Sequence, residues 1–531
     1  MGQLVAQYLG WQCVDIDQLI AQKYDKPVSS VFNDEGEAAF RHSEKMILED
    51  ACSRASTVVC TGGGAILDAN NRQLMMKDSL VVCLEALPET IYDRLKTSRS
   101  DKTREIRPVL EGSNTLSKIR RLKTKRQIFY AHSHWTIHTD KLTVSETALE
   151  VIKAWHLIKT KNAYTTNDPS LAAIVPHSKG IYPIFAGPGI LDDLGKRLDE
   201  LGIDQKAYII TDENTVHQYA RKAQAILQRD GIAAHIYSIP PGEGSKTLDM
   251  AQHIYHWLTS QKAERKNPIL AIGGGVVGDL AGYVAATFLR GMPFIQVPTS
   301  LTSMVDASIG GKVAINLPDG KNLIGAFYQP SVVLADTTSL STLGNREVNE
   351  GWAEAIKHGL ILDKSLFELF EDKADDLINL EETITTKMIR LSIKIKAQIV
   401  AEDERETLDR RILLNYGHTI GHALETVTKY NQLLHGEAVS IGMMGAAIIS
   451  RNMNMLEESS MKRQQDVLGK FSLPTHASGI SPEKIAHSML RDKKMDSGTL
   501  KWVLLKEIGD AIVNKNVPED IVNQALQTIT A

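Results

Sequence analysis

The 531-residue chain reads as a multidomain α/β protein whose last third is helical. Three observations carry that reading. Short apolar runs alternate with helical patterns through the first 340 residues. The apolar run Ile269-Leu-Ala-Ile-Gly273 continues into Gly274-Gly275-Val-Val-Gly278-Asp279, a strand entering a G-x-G-x-x-G turn that opens a helix. Beyond residue 341 the period is helical, and Arg411, Asn415, His418 and His422 recur at steps of four, three and four, on one face of a single helix.

Composition narrows the function classes. A length of 531 allows two to four domains, and 43% hydrophobic with 23% charged residues is the balance of a globular protein. A net charge of -4 gives no electrostatic case for nucleic acid or an anionic membrane. Cys13, Cys52, Cys60 and Cys83 show no C-x-x-C spacing, so they are expected as small buried residues in a reducing cytoplasm. No apolar run reaches the roughly 18 residues of a membrane span, and 438–449 is expected as a core helix. No signal peptide is evident, and a cytoplasmic location is expected.

Residues 1–156 predict an α/β domain with a parallel sheet, with strands at 12–16, 57–60 and 80–84. Gly62 to Gly64 follow the second strand, where backbone can approach a ligand closely. Val14-Asp15-Ile16-Asp17, Glu37-Ala-Ala-Phe40-Arg41, Thr61-Gly-Gly-Gly64, Arg107-Pro108-Val-Leu110 and Arg126-Gln-Ile-Phe-Tyr130 occur in the order and spacing of shikimate kinases, which this part resembles. The resemblance implies that Asp17, Arg41, Gly63, Gly64 and Arg126 hold shikimate, that Asp15 lies near a magnesium ion, and that Arg107 belongs to a nucleotide lid. The segment Gly2 to Gly10 is similar to that family's first helix, so the phosphate loop and first strand are expected ahead of residue 1. G-x-x-x-x-G-K-[ST] occurs nowhere in the chain. Magnesium and ATP would bind only with that loop restored, no phosphorylation is expected of the chain as given, and a longer natural protein is the expectation.

Residues 157–178 are polar and aperiodic and are expected as a linker. In 179–340, strands are expected at 182–186 and 206–211, and a helix over 279–286 behind the glycine turn, whose backbone N–H groups would face a pyrophosphate. Asp212-Glu-Asn214 would stand at a strand's carboxyl end, where open α/β sheets bind ligands. Pro240-Pro-Gly-Glu243-Gly-Ser-Lys246 is a rigid turn bearing an acid and a base. No acid lies about twenty residues past the glycine turn, so the ordinary ribose clamp is not expected. Lys312 and Lys321, in glycine-rich loops with Asp306, suit an anionic substrate or, taken singly, solvated surface.

In 341–531, Glu354 and Lys357 share a helix face at i, i+3, the spacing of a surface ion pair but also of a carboxylate partner for histidines. His418 and His422 could share a metal, with His435 as a third imidazole. A helix over 380–401 contributes Lys396.

Gly273-Gly-Gly-Val-Val-Gly-Asp279, Val305-Asp-Ala-Ser-Ile-Gly-Gly-Lys312, Gly320-Lys-Asn-Leu-Ile-Gly325, Ala353-Glu-Ala-Ile-Lys357, Asp403-Glu-Arg-Glu406, Asn415-Tyr-Gly-His-Thr-Ile-Gly-His422, Leu434-His-Gly-Glu-Ala-Val439 and Arg491-Asp-Lys-Lys494 resemble 3-dehydroquinate synthases over about 172–528. The resemblance implies a Rossmann-like NAD-binding domain over 179–340 and an all-α metal- and substrate-binding domain over 341–531. By it, Glu354, His418 and His435 bind zinc or cobalt, and His422 lies by the substrate phosphate. Arg290, Lys312, Asn322, Arg411, Asn415 and one of Lys493 or Lys494 would hold phosphate and carboxylate. Asp306, Lys357 and Lys396 would anchor hydroxyls and the carboxylate. Asp212, Asn214, Glu243, Lys246, Gly275, Val276, Asp279, Thr299, Ser300 and Lys321 would hold NAD. Thr407-Leu-Asp-Arg-Arg411 is one residue longer than the usual pattern, and counting back from Asn415 selects Arg411. A sugar phosphate substrate and a homodimer are implied. Another sugar phosphate cyclase or a glycerol-dehydrogenase-like enzyme is the alternative, and the dense set of cations argues against a neutral alcohol as substrate.

Overall fold

The computed structural model describes residues 1–99, 114–130, 133–161, 168–177, 180–203, 205–318, 320–407, 409–429, 431–495 and 500–531. Contacts divide it into two compact units, Met1–Thr165 with Ser178–Gly180, and Thr166–His177 with Ile181–Ala531.

In the N-terminal unit the expected parallel sheet is present as two separate two-stranded pieces. Gln12–Asp15 pairs with Thr57–Cys60, and Val82–Glu85 pairs with Trp135–His138, both in parallel. Each strand is four residues long. Two-stranded pieces are marginal without helices against them. The helix Gly2–Leu9 covers the first pair so closely that a Cβ on Gly2 would lie 2.2 Å from Cys60 Sγ. The core is correspondingly small, built on Val14, Ile16, Ile20, Val31, Phe40 and Leu48. All four cysteines are free and half-buried, not buried as expected, because the short strands that carry Cys13, Cys60 and Cys83 are covered incompletely.

The C-terminal unit holds a seven-stranded sheet in the order Leu171–His177, Gly180–Gly187, Val332–Asp336, Phe294–Pro298, Ile269–Gly273, Lys206–Asp212, Ala233–Ile239. The pairings from Gly180–Gly187 onward are parallel. Every residue of the three central strands is buried, which is why they read as unbroken apolar runs. The linker expectation over 157–178 is corrected at both ends: Val144–Lys161 is a helix and Leu171–His177 is the sheet's edge strand. A clasp secures that edge, since Arg197, 3% exposed, reaches Asp168 at 2.5 Å and Glu200 at 3.2 Å.

The region expected as all-α is corrected by an antiparallel hairpin, Trp502–Glu507 with Asp510–Asn514, which packs with the helices in one core where Trp352, Phe370 and Phe471 meet edge to face or tilted at 5.7–6.2 Å. His418–Val427 and His435–Asn452 approach closely enough that a Cβ on Gly442 would lie 1.9 Å from the Gly417 carbonyl oxygen, so only glycine fits there. That approach brings the first residue of each helix, His418 and His435, to one place. The single helix expected over 411–425 is two pieces: a 3₁₀ turn Arg411–Asn415, a break at Gly417 with φ 82°, and an α-helix from His418. Among the described residues no helix is long and apolar enough to cross a membrane.

Candidate active site and metal centre

Glu354 lies mid-way along the helix Asn345–Leu362 with no solvent exposure, so the surface-pair reading is corrected. Its Oε1 is 3.5 Å from His418 Nε2 and 3.4 Å from His435 Nε2, and accepts no hydrogen bond. Donor atoms of the three residues lie within 4.8 Å of one another. A buried carboxylate oxygen left without a donor, facing two imidazole nitrogens, fits a divalent cation with room for further ligands. The other oxygen accepts from Lys357, itself 1% exposed. Burial opposes ionisation of Glu354, but Lys357 and His418 hold its carboxyl well below the usual range.

Beside it, Lys396 on the helix Glu382–Glu402 is paired with Asp306. Burial depresses the Lys396 ammonium to about 8, against the pull of that carboxylate. Lys312 pairs with Glu406, whose Oε1 is also 3.6 Å from Arg411 Nε. Arg411 is 2% exposed, and its Nη1 donates to the carbonyls of Gly310 at 3.2 Å and Glu404 at 2.8 Å. Gly310 has φ 97°, and a Cβ there would lie 2.5 Å from the guanidinium. Asn415 and His422 are exposed, whereas Arg411 is buried and His418 half-buried, so the four residues do not share one environment. Arg290 stands exposed at φ 63° and takes part in none of these contacts. Lys493 and Lys494 fall on the helix Pro482–Met495, and their side chains lie outside the described ones.

The glycine turn opens the helix Gly275–Thr287, four residues earlier than expected, at the carboxyl end of Ile269–Gly273. Gly275 and Val276 are its first residues, and Thr299 N donates to the Gly273 carbonyl at 3.0 Å, holding Thr299 and Ser300 beside the turn. Lys246 bridges Asp279 at 2.7 Å and Asn322 Oδ1 at 2.5 Å, and Asn316 donates to Glu243 at 2.8 Å. Lys321 lies 4.0 Å from Glu243, so these residues form one polar group. Asp212 instead caps its own turn, accepting from Asn214 N and Thr215 N at 3.0 Å.

In the N-terminal unit, Asp17, Arg41, Gly63, Gly64 and Arg126 line one cavity of about 380 Å³ with Asp15, Phe32, Glu44 and Tyr130. Arg126 and Tyr130 both donate to the Gly63 carbonyl at 3.0 Å. A Cβ on Gly64 would lie 2.5 Å from the Arg41 guanidinium. Arg107 lies outside the described residues.

Sequence reasoning missed Glu350, Glu425, Asn316 and His358, and quoted Glu406 without a role. Glu425 had a legible signal, being two turns beyond His418 on the same helix. The buried His358, hydrogen-bonded to Ser392 at 2.6 Å and lowered to about 3 by burial, had none.

Profiles of known families match three stretches: Shikimate kinase over residues 1–156, 3-dehydroquinate synthase N-terminal over 236–350, and 3-dehydroquinate synthase C-terminal over 351–495. The chain is 45% identical over 357 residues to the 3-dehydroquinate synthase of Nitrosospira multiformis, covering 67% of this chain and 96% of that one. It is 42% identical over 339 residues to that of Desulforamulus reducens, covering 64% and 94%. Among solved structures it is similar to the 2-epi-5-epi-valiolone synthase of Streptomyces hygroscopicus with NAD+ and Zn2+ bound, at TM-score 0.61 and 26% identity over 66% of this chain and 96% of the other. A 2-deoxy-scyllo-inosose synthase complexed with carbaglucose-6-phosphate, NAD+ and Co2+ gives 0.61 and 28% over 67% and 99%. On this agreement of sequence, sheet and clustered side chains, the chain belongs to the 3-dehydroquinate synthase family and carries a shikimate kinase domain ahead of that part.

Proposed function

We propose that the C-terminal unit converts 3-deoxy-D-arabino-heptulosonate 7-phosphate to 3-dehydroquinate and phosphate, with NAD and zinc or cobalt as resident cofactors. The observation that supports this best is the unpartnered Glu354 oxygen, buried within 3.5 Å of two imidazoles. When bound, the cation would lower the pKa of a chelated hydroxyl and the nicotinamide would accept and return a hydride. Glu354, His418 and His435 would hold the cation. Lys357, Lys396 and Asp306, already paired and with both lysines buried, would orient substrate hydroxyls and carboxylate without reorganising. Lys312, Arg411, Asn322, Asn415 and His422, with Arg290 and one of Lys493 or Lys494, would meet the phosphate and carboxylate and the charge that leaves with phosphate. NAD would lie over the Gly275–Val276 helix start, with Asp212, Asn214, Glu243, Lys246, Asp279, Thr299, Ser300 and Lys321 around it. A homodimer belongs to the same proposal and is checked by sedimentation.

The test is phosphate release from the heptulosonate phosphate, with and without a chelator, using Glu354→Gln as control. Release that a chelator does not suppress, or that Glu354→Gln retains, rejects the assignment. Identifying the carbocycle formed separates this enzyme from other sugar phosphate cyclases.

For the N-terminal unit we propose a shikimate-binding cavity, with the carboxylate on Arg41 and Arg126 and ring hydroxyls on Asp17. No phosphoryl transfer is expected of these 531 residues, which nowhere contain G-x-x-x-x-G-K-[ST]. ADP release on adding shikimate and ATP rejects that part.

A further inference from the structure

His435 meets a carboxylate on each side of its ring. Nε2 faces Glu354 at 3.4 Å, and Nδ1 faces Glu425 Oε1 at 3.5 Å. Glu425 is 7% exposed and lies on the helix His418–Val427, so one helix carries both His418 and the group behind His435. Its buried charge is balanced by Lys321, whose Nζ is 3.8 Å from the same oxygen. The backbone under His435 is fixed separately: Gly436 N donates to Glu350 Oε2 at 2.8 Å, and a Cβ on Gly436 would lie 2.0 Å from the Glu350 carbonyl oxygen.

We propose that Glu425 is a positioning residue for His435, accepting from its Nδ1–H so that the Nε2 lone pair is aimed at the point shared by Glu354 and His418. An imidazole has two tautomers and two flipped orientations. A carboxylate facing Nδ1 selects the one that presents Nε2, and such outer partners raise ligand basicity and typically contribute 10- to 100-fold in metal affinity. Donor atoms of His422, Glu425 and His435 also lie within 4.8 Å of one another, so the rival role for Glu425 is direct ligation of a second ion. The two differ in stoichiometry.

The inference rests on the metal-site reading above, and its test keeps the two apart. Cobalt is titrated into the metal-freed full chain against a chromophoric chelator, with the visible spectrum of the cobalt form as second readout. Wild type, Glu425→Ala and Glu425→Gln are compared, each shown to be folded by circular dichroism. The expected result is one cobalt per chain in wild type, an affinity loss on the order of 10- to 100-fold with an altered spectrum in Glu425→Ala, and a smaller loss in Glu425→Gln, whose amide oxygen still accepts. If Glu425→Ala does not fold, Glu425→Gln decides alone, and an affinity within twofold of wild type with an unchanged spectrum overturns the proposal. Two cobalt ions in wild type and one in Glu425→Ala also overturn it. Wild type that takes up no cobalt at all defeats the metal centre itself.

Discussion

The two units place charged residues around a cavity on very different foundations. In the C-terminal unit the central strands are wholly buried and the site's cations are held in place by neighbouring carboxylates and carbonyls: Lys357 on Glu354, Lys396 on Asp306, Arg411 on Gly310 and Glu404. In the N-terminal unit the sheet is in two pieces and its strands are half-covered; Arg41 is held on the buried Glu44 at 2.7 Å, whereas Arg126 reaches the exposed Gly63 carbonyl. A site whose ionic groups are buried must satisfy them internally before any ligand arrives, whereas one at the surface leaves that to water. The first is pre-organised and costly to disturb.

The largest expected effect is at the most buried group. On the proposed function Glu354→Gln would remove a ligand from a cation worth several kcal/mol in the transition state, so phosphate release should fall roughly a thousandfold or more. Next, the units should separate in urea. Trp11, Trp135 and Trp155 report on the N-terminal unit and Trp257, Trp352 and Trp502 on the other, so Trp→Phe sets resolve them, and the N-terminal signal should be lost first. A single coincident transition breaks the comparison. Arg411→Ala removes the buried guanidinium that donates to the Gly310 and Glu404 carbonyls and should cost about 1–3 kcal/mol in the second transition only, and Arg411→Lys should not restore it.

Acid sharpens the same contrast. Burial works against ionisation of Asp168, but Ser170 and Arg197 hold its carboxyl down to about 2 from the ordinary 3.8. Between those values the unfolded chain binds the extra proton, so this stabilisation is complete above 3.8 and is lost as pH falls to 2. The expected loss is about 2 kcal/mol in the C-terminal transition, and it should be absent in Asp168→Asn. The smallest effect belongs to the exposed site: Arg126→Ala should leave the N-terminal transition within about 1 kcal/mol while weakening shikimate binding about tenfold by calorimetry.

What the sequence made legible follows the same division. Buried parallel strands are continuous apolar runs, so Ile269–Gly273 and Lys206–Asp212 were readable directly. Leu171–His177 carries a similar run, Leu-Ala-Ala-Ile-Val, but the polar stretch with Pro169 before it and Pro176 within it read as a linker, because proline is tolerated on an edge strand and not on a central one. The metal set could not come from period. His418 and His422 share one helix at i, i+4, but the imidazole grouped with His418 and Glu354 is that of His435 on the next helix, and Glu354 lies 64 residues before His418. Residue types put Glu354 and the three histidines forward, and resemblance alone chose His418 and His435 over His422. Lys357 read locally as a surface partner because i, i+3 spacing is indifferent to burial, which is set by Trp352 and the helices packed around it.

Glu406 carries a last consequence. Its carboxylate sits against Lys312 and Arg411, two of the cations proposed for the substrate's anionic groups. A newcomer there competes with a rival tethered to the same chain and never diluted. Singly charged buffer anions such as acetate or chloride offer those cations little that Glu406 does not, whereas a phosphate dianion does. On that proposal the loop's own acid would act as a threshold, so that discrimination by charge would be set before any part of the sugar is inspected.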